Sequence, residues 1–105
     1  MPVLNDKPSL KDFQIYVEQL EAERGFDKQS AIEKCLLLGE EIGELFKAVR
    51  KSENIKIDEN SNVTPVAEEL ADILIYLCSI ANRHNINLEK AFREKEVINH
   101  QRNWK

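Results

Sequence analysis

The sequence predicts an all-α protein built as a four-helix bundle. Four segments carry apolar residues at helical spacing, and no segment shows the strict alternation of a strand. Only three glycines and three prolines interrupt the 105 residues. A chain of this length fits one domain, residues 1–105 with a core from about 10 to 104. Because so small a domain buries a modest core, we expect pairing with further copies of the chain to complete it.

The first predicted helix covers about residues 10–24. Ser9 can cap it, Asp12 completes a capping box, and Gly25 suits its end. Four apolar positions have helical spacing: Leu10, Phe13, Val17 and Leu20. These features predict an amphipathic helix with one buried face.

The second predicted helix begins at about Lys28 or Ser30 and ends near Lys51. Its apolar stripe consists of Leu38, Ile42, Leu45 and Val49. Residues 52–64 follow as the one long polar stretch, so we expect a mobile loop that can act as a lid.

The third predicted helix begins at Thr64, the N-cap, with Pro65 in the first helical position. It ends near His84, and Asn85 is a plausible C-terminal breaker. Since it is apolar nearly all round, we expect it in the middle of the bundle.

The fourth predicted helix is capped by Asn87 and ends at about Arg102. Its apolar residues Leu88, Ala91 and Phe92 share one stripe, which we expect to face inward.

Charge and cysteine content exclude several classes of protein. The net charge of −4, without a cluster of Lys and Arg, argues against nucleic-acid binding. No apolar run reaches the roughly 18 residues of a membrane span. Cys35 and Cys78 lie in apolar helical stretches, which indicates buried, reduced thiols in a cytoplasmic protein.

Two acidic motifs lie inside the second and third helices, at residues 40–44 and 69–72. The i, i+3 spacing places Glu41 with Glu44, and Glu69 with Asp72, on one helix face each. On a helical wheel Glu41 falls between Leu37 and Leu45, and Glu69 between Tyr76 and Ile80, beside the stripes that face the core. Glu40 points to the polar side, so we interpret it as a surface residue or an indirect partner.

Carboxylates placed this close to a core need compensation. Four of them together repel strongly, and a divalent cation is the natural partner. All four predicted ligands, Glu41, Glu44, Glu69 and Asp72, offer oxygen. An all-oxygen set favours Mg²⁺ or Mn²⁺ over zinc or iron, and the Glu-x-x-His of di-iron bundles is missing from both motifs.

The fourth helix carries Lys95, Asn99 and Arg102 at i, i+4 and i+7. Such side chains often extend from a bundle edge into water. Beside a carboxylate-bound metal they are suited to holding phosphate oxygens. Tyr76 shares the face of Asp72 and is either a substrate contact or a core residue. Together these residues predict a polyphosphate site.

The sequence resembles the MazG-like all-α nucleoside triphosphate pyrophosphohydrolases. The order Glu-Glu-x-x-Glu at 40–44 and Glu-x-x-Asp at 69–72 is similar to the signature of that family. The tail Lys95-x-x-x-Asn99-x-x-Arg102 resembles its basic element, and residues 22–27 resemble the approach to its second helix. The resemblance covers most of the chain.

The resemblance implies a four-helix core that forms a homodimer or homotetramer, with a site built partly at the subunit interface. It implies Mg²⁺-dependent cleavage of a triphosphate to a monophosphate and pyrophosphate, for nucleotide pool sanitation. Glu41, Glu44, Glu69 and Asp72 would bind the metal. Catalytic roles would fall to Glu40, Glu41 and Glu44, one of which would orient or deprotonate water. Lys95, Asn99, Arg102 and Tyr76 would hold the substrate.

Base choice and two other functions stay open. The deoxycytidine branch of the family uses tryptophans in its N-terminal half, but Phe26 stands where such a Trp would be. Phe13, Tyr16, Phe26 and Phe46 are candidates for a base pocket, although core packing is the commoner role. Phosphoribosyl-ATP pyrophosphohydrolase shares the fold, and a non-catalytic metal- or nucleotide-binding regulator is the third alternative.

Overall fold

A computed structural model describes residues 1–54 and 63–102. These residues form four helices: α1 (Leu10–Arg24), α2 (Ala31–Ser52), α3 (Val66–Arg83) and α4 (Leu88–His100). They contain no strand. The predicted all-α, four-helix architecture is confirmed. Most of the predicted lid at 52–64 lies outside the described residues.

The capping box predicted for α1 is present. The Ser9 hydroxyl accepts a hydrogen bond from the Asp12 amide at 3.1 Å, and the Asp12 carboxylate accepts one from the Ser9 amide at 2.9 Å. Gly25 ends the helix with φ 77°, a left-handed conformation that glycine adopts without a steric cost. Both ends of α1 therefore follow from local sequence.

Of the two predicted starts of α2, Lys28 and Ser30, the structure has Ser30 as the N-cap. Ser30 and Glu33 form a capping box. The predicted apolar stripe is partly wrong, because Ile42 and Val49 are 36% and 41% exposed. The residues that α2 buries fully are Lys34 and Ala48. A buried lysine at this position means that the inner face of α2 is more polar than its sequence spacing predicts.

The predicted N-cap of α3 is wrong. Pro65 occupies the cap position without a side-chain hydrogen bond. Thr64 instead donates its hydroxyl to the carboxylate of Glu69. At the other end Asn85 has φ 54°, in the left-handed region that asparagine tolerates better than most residues, so it acts as the predicted breaker.

α3 is the central helix, as predicted, and packs against both α2 and α1. The buried apolar residues of the described chain are Val17, Leu20, Ala48, Cys78 and Ala81. Cys78 is buried, but the prediction that Cys35 is also buried is wrong. Cys35 is exposed, and so is its neighbour Leu36, at 70%. Among the described residues, no helix combines the length and the apolar composition that a membrane span requires.

α4 is capped by Asn87, as predicted, but ends at His100. It buries no residue, and Phe92, expected to face inward, is 66% exposed. α4 is joined to α1 by the Gln14 clamp, the side-chain amide of Gln14. That amide donates to the Ile86 carbonyl at 2.8 Å and accepts from the Leu88 amide at 2.9 Å. The clamp thus joins α1 to the turn between α3 and α4.

Candidate metal centre and adjoining cleft

Three of the four predicted metal ligands come together where α2 packs against α3. One carboxylate oxygen each from Glu41, Glu69 and Asp72 lies within 4.8 Å of the others. Glu69 and Asp72 are one turn apart on α3, and Glu41 reaches them from α2. This group of three carboxylates is one that can hold a metal ion.

Glu69 is the most enclosed member of the group, with 4% of its surface exposed. One of its oxygens accepts from Thr64, while Oε2 is buried and has no hydrogen-bond partner among the described residues. A buried carboxylate oxygen without a donor is unfavourable. Its position therefore supports a role as a cation ligand.

The pKa of Glu41 reports the crowding of negative charge. A hydrogen bond shared with Glu69, burial, and repulsion from Glu69, Asp72 and Glu44 together raise the pKa of Glu41 to about 7. When Glu41 and Glu69 are both ionised, Oε2 of Glu69 has no hydrogen-bond donor. A proton on Glu41 supplies that donor. Near neutral pH the group therefore holds either a proton or the positive charge of a cation.

The remaining acidic residues of the first motif lie outside this group of three. Glu44 is half-exposed and pairs with Lys47, with 3.7 Å between Oε1 and Nζ. It remains close enough to Glu41 to raise the pKa of that residue. Glu40 is exposed, as its wheel position predicts. Both could approach a bound ligand only from the rim of the site.

A cleft of about 230 Å³ adjoins the carboxylates and shares Asp72 with them. We call it the Tyr76 cleft; its walls include Phe26, Gln29, Lys34, Asp72 and Tyr76. Burial and the negative charges of Glu41, Asp72 and Glu40 raise the pKa of Tyr76. Tyr76 therefore stays a protonated phenol, able to donate a hydrogen bond. Its predicted place beside Asp72 is confirmed, while its role stays a prediction.

A buried charge cluster forms the back of this cleft and was missed by the sequence analysis. Arg83 donates to both oxygens of Glu21 at 3.0 Å, and the Ser79 hydroxyl also donates to Glu21 at 3.0 Å. Nζ of Lys34 lies 3.3 Å from the same carboxylate. Burial alone would raise the pKa of Glu21, but hydrogen bonds from Arg83, Ser79 and Lys34 outweigh it and lower that pKa.

A sequence signal for this cluster did exist. Glu21 follows Val17 by four residues and adjoins Leu20, so it shares the inner face of α1. Ser79 and Arg83 are likewise four residues apart on α3. Charged residues in register with a buried stripe indicate a buried ion pair as well as a metal site.

The basic residues of the predicted substrate site lie elsewhere in the single chain. Lys95 and Asn99 line a groove with Leu74 and Leu77 of α3, away from the Tyr76 cleft. Asn99 donates to Glu96 at 2.9 Å. Arg102 is exposed and lies beyond the end of α4. One chain alone does not bring these three side chains to the carboxylates, because α4 packs against α1 while the carboxylates lie between α2 and α3.

Comparisons with known proteins agree with this geometry. Residues 29–100 match the MazG nucleotide pyrophosphohydrolase domain. Two crystal structures of iMazG from Vibrio DAT 722 are 34% identical to the chain. One superposes with a TM-score of 0.64 over 87% of this chain and 93% of the other. The second has a TM-score of 0.65 over 88% and 98%. No curated protein sequence matches. This chain belongs to the MazG nucleotide pyrophosphohydrolase family.

Proposed function

We propose that this protein cleaves a nucleoside or deoxynucleoside triphosphate to the monophosphate and pyrophosphate, with Mg²⁺ held by Glu41, Glu69 and Asp72. The observation that carries the proposal is the meeting of three carboxylates within 4.8 Å, one of them with a buried, unpartnered oxygen. The family match supports pyrophosphohydrolase chemistry at this place. Sanitation of the nucleotide pool is the role that fits such an activity.

The residues present fit a hard divalent cation. The donors are carboxylate oxygens alone, which Mg²⁺ and Mn²⁺ prefer. Oε2 of Glu69 is buried without a hydrogen-bond partner among the described residues, which suits a cation ligand. Glu44 would become the fourth ligand by leaving Lys47, a weak exposed pair. When bound, the ion would polarise the phosphoryl group and lower the pKa of a bound water.

The acidic residues of α2 would act on the attacking water. Glu41 is the best placed, because its carboxylate meets Glu69 and Asp72, where the ion and its water would lie. We assign Glu44 and Glu40 the task of orienting this water from the rim of the site, and Tyr76 a hydrogen bond to the substrate. Glu41 would accept the proton as the nucleophile forms.

A pyrophosphate-release assay tests this function. The substrates are the four deoxynucleotides, the ribonucleotides, oxidised and methylated bases, and phosphoribosyl-ATP. We expect Mg²⁺-dependent release that Glu69→Gln or Asp72→Asn lowers by at least about a hundredfold, since each removes a charged ligand. Glu18→Gln, an exposed carboxylate of α1, serves as the control.

Three results would contradict the proposal. Full activity in both site variants would show that these carboxylates hold no essential metal. Turnover of phosphoribosyl-ATP alone would replace the triphosphate substrate with that compound, and tight nucleotide binding without any turnover would indicate a regulator.

A second copy of the chain is part of the proposal. The outer face of α2 exposes Ile32, Leu36 and Phe46 at 74%, 70% and 63%. Between them lie Gly39 and Gly43, where an added Cβ would meet nothing within 4 Å. An apolar stripe with a glycine centre suits close packing against another helix. We therefore assign this face to a homodimer contact, within a dimer or tetramer.

In such an assembly Lys95, Asn99 and Arg102 would hold phosphate or sugar at the carboxylates of a second copy. Mixing inactive Glu69→Gln with inactive Lys95→Met tests this arrangement. Mixed dimers contain one site with all its residues, so part of the activity should return. Light scattering should show a dimer or tetramer, and Phe46→Glu should reduce it to monomers. A monomeric wild-type protein, or no recovery on mixing, would contradict the shared site.

A further inference from the structure

Lys34 is a buried cation for which the proposed chemistry has no use so far. It is 4% exposed, yet it lines the Tyr76 cleft. Its one ion pair among the described residues is with Glu21, at 3.3 Å. An ammonium group has three donors. Lys34 therefore has hydrogen-bonding capacity to spare beside a cleft.

The negative charge of Glu21 is neutralised without Lys34. Arg83 already neutralises this carboxylate with two hydrogen bonds at 3.0 Å, and Ser79 adds its hydroxyl. Removing the ammonium from water is costly, so a second cation on one satisfied carboxylate adds little stability. The cluster of Glu21, Arg83 and Lys34 carries a net charge of about +1, which is available to a ligand in the cleft.

Two aromatic rings hold this ammonium in place. Nζ of Lys34 lies 5.2 Å from the ring centre of Phe26 and 5.7 Å from that of Tyr76. Both distances fall within the range of cation–π contacts. Phe26 is also 44% exposed, which leaves part of the ring open for stacking. The ammonium is thus held between two aromatic rings, beside which a flat ligand would stack.

The size and lining of the cleft decide which part of a nucleotide it takes. Its volume of about 230 Å³ is below the roughly 300–1,000 Å³ of pockets that enclose whole ligands. Leu20, Leu37 and Ile75 contribute apolar wall, and Phe26 and Tyr76 contribute aromatic rings. A base ring suits this space, and the phosphates suit the adjoining carboxylates with their cation.

We propose, resting on the proposed function, that the Tyr76 cleft takes the base of the nucleotide and that Lys34 donates a hydrogen bond to an acceptor on the edge of that base. Because an ammonium only donates, the atom it contacts is a ring nitrogen or a carbonyl oxygen. Lys34 thereby becomes a specificity-determining residue, since it favours bases that present an acceptor at this position and leaves a buried, unsatisfied donor with those that do not.

Binding measured by calorimetry tests this role apart from turnover. The ligands are α,β-imido deoxynucleoside triphosphates with Mg²⁺ and the matching base-free compound, α,β-imido deoxyribose triphosphate. Lys34→Met keeps the length of the side chain and removes the ammonium, while Arg83 still neutralises Glu21. Lys90→Met, an exposed lysine that pairs with Glu94 on α4, is the matched control.

We expect Lys34→Met to weaken binding of the preferred base-bearing ligand by about tenfold to a hundredfold and that of the base-free ligand by less than about threefold. The ranking of the four bases should change as well. Lys90→Met should alter neither. If Lys34→Met is not folded by circular dichroism, Lys34→Gln is measured with the same two ligands.

Equal losses for both ligands would overturn the inference, because Lys34 would then hold phosphate or only support the fold. Unchanged binding and ranking would overturn it too. If the wild type binds nucleotide but releases no pyrophosphate, the proposed function fails while the binding ratio still decides the role of Lys34. If no nucleotide binds, both fail.

Discussion

Glu69→Gln should make the metal-free protein more stable while removing its proposed metal site. The hydrogen bond with Glu69, followed by burial and by charge repulsion from Glu69, raises the pKa of Glu41 from 4.5 to about 7. At 1.36 kcal/mol per pKa unit this corresponds to about 3 kcal/mol at most. Since Glu41 is partly exposed, solvent screening reduces the gain to about 1–2 kcal/mol. The new amide would also donate to Glu41 from the position of the unpartnered oxygen.

Thermal unfolding in a chelator, at fixed protein concentration, measures this gain. The melting temperature should rise by about 5–10 °C at pH 8. The folded state binds the Glu41 proton more tightly than the unfolded state, so stability falls as pH rises from about 4.5 to 7. At pH 5 Glu41 is already protonated, and the gain should nearly vanish.

Glu18→Gln, with an exposed side chain, should change the free energy of unfolding by less than about 0.5 kcal/mol at either pH. Lower stability of Glu69→Gln at pH 8, or an equal gain at pH 5, would refute the reasoning. Either result would mean that repulsion within the carboxylate group does not destabilise the folded protein.

Three further predictions concern charge, backbone and metal. Arg83→Met leaves Glu21 with Lys34 and Ser79 alone and should cost about 3 kcal/mol in chemical denaturation; a cost below about 1 kcal/mol would show that Lys34 suffices. Asn85→Ala should cost about 1 kcal/mol, because Asn85 has φ 54°, and equal stability would indicate that the turn adjusts. Mg²⁺ should raise the melting temperature of the wild type more at pH 8 than at pH 5, by differential scanning calorimetry, since protons and the cation compete for Glu41; equal shifts would argue against this site.

The helix ends of this protein were largely predictable from sequence. Ser9 and Ser30 each start a capping box, and Gly25 and Asn85 adopt the left-handed conformations expected of terminators. Such signals depend on residues close in sequence, so no tertiary information is needed. The N-terminus of α3 was missed because Thr64 hydrogen-bonds to Glu69 instead of capping the helix, a choice that the neighbouring carboxylates influence.

The candidate site was also predictable in part, because some of its geometry depends on residues close in sequence. The i, i+3 spacing places Glu69 with Asp72, and the wheel places Glu41 toward the core, and these three meet. Glu44 instead pairs with Lys47. A helical wheel does not show whether Glu44 prefers this lysine or the other carboxylates. Lys34 shows the limit most clearly: its burial depends on Glu21, thirteen residues earlier on another helix, and on the rings around it.

The Gln14 clamp has a consequence for motion. A helix that fully buries no side chain and is joined to α1 by the Gln14 clamp can detach with little loss of buried core. α4 should therefore behave as a separate unit of local unfolding, with amide protons that exchange faster than those of α3. Lys95 and Asn99 lie on that unit. The proposed phosphate-holding side chains thus belong to a part of the molecule whose orientation can adjust when a nucleotide or a second subunit arrives.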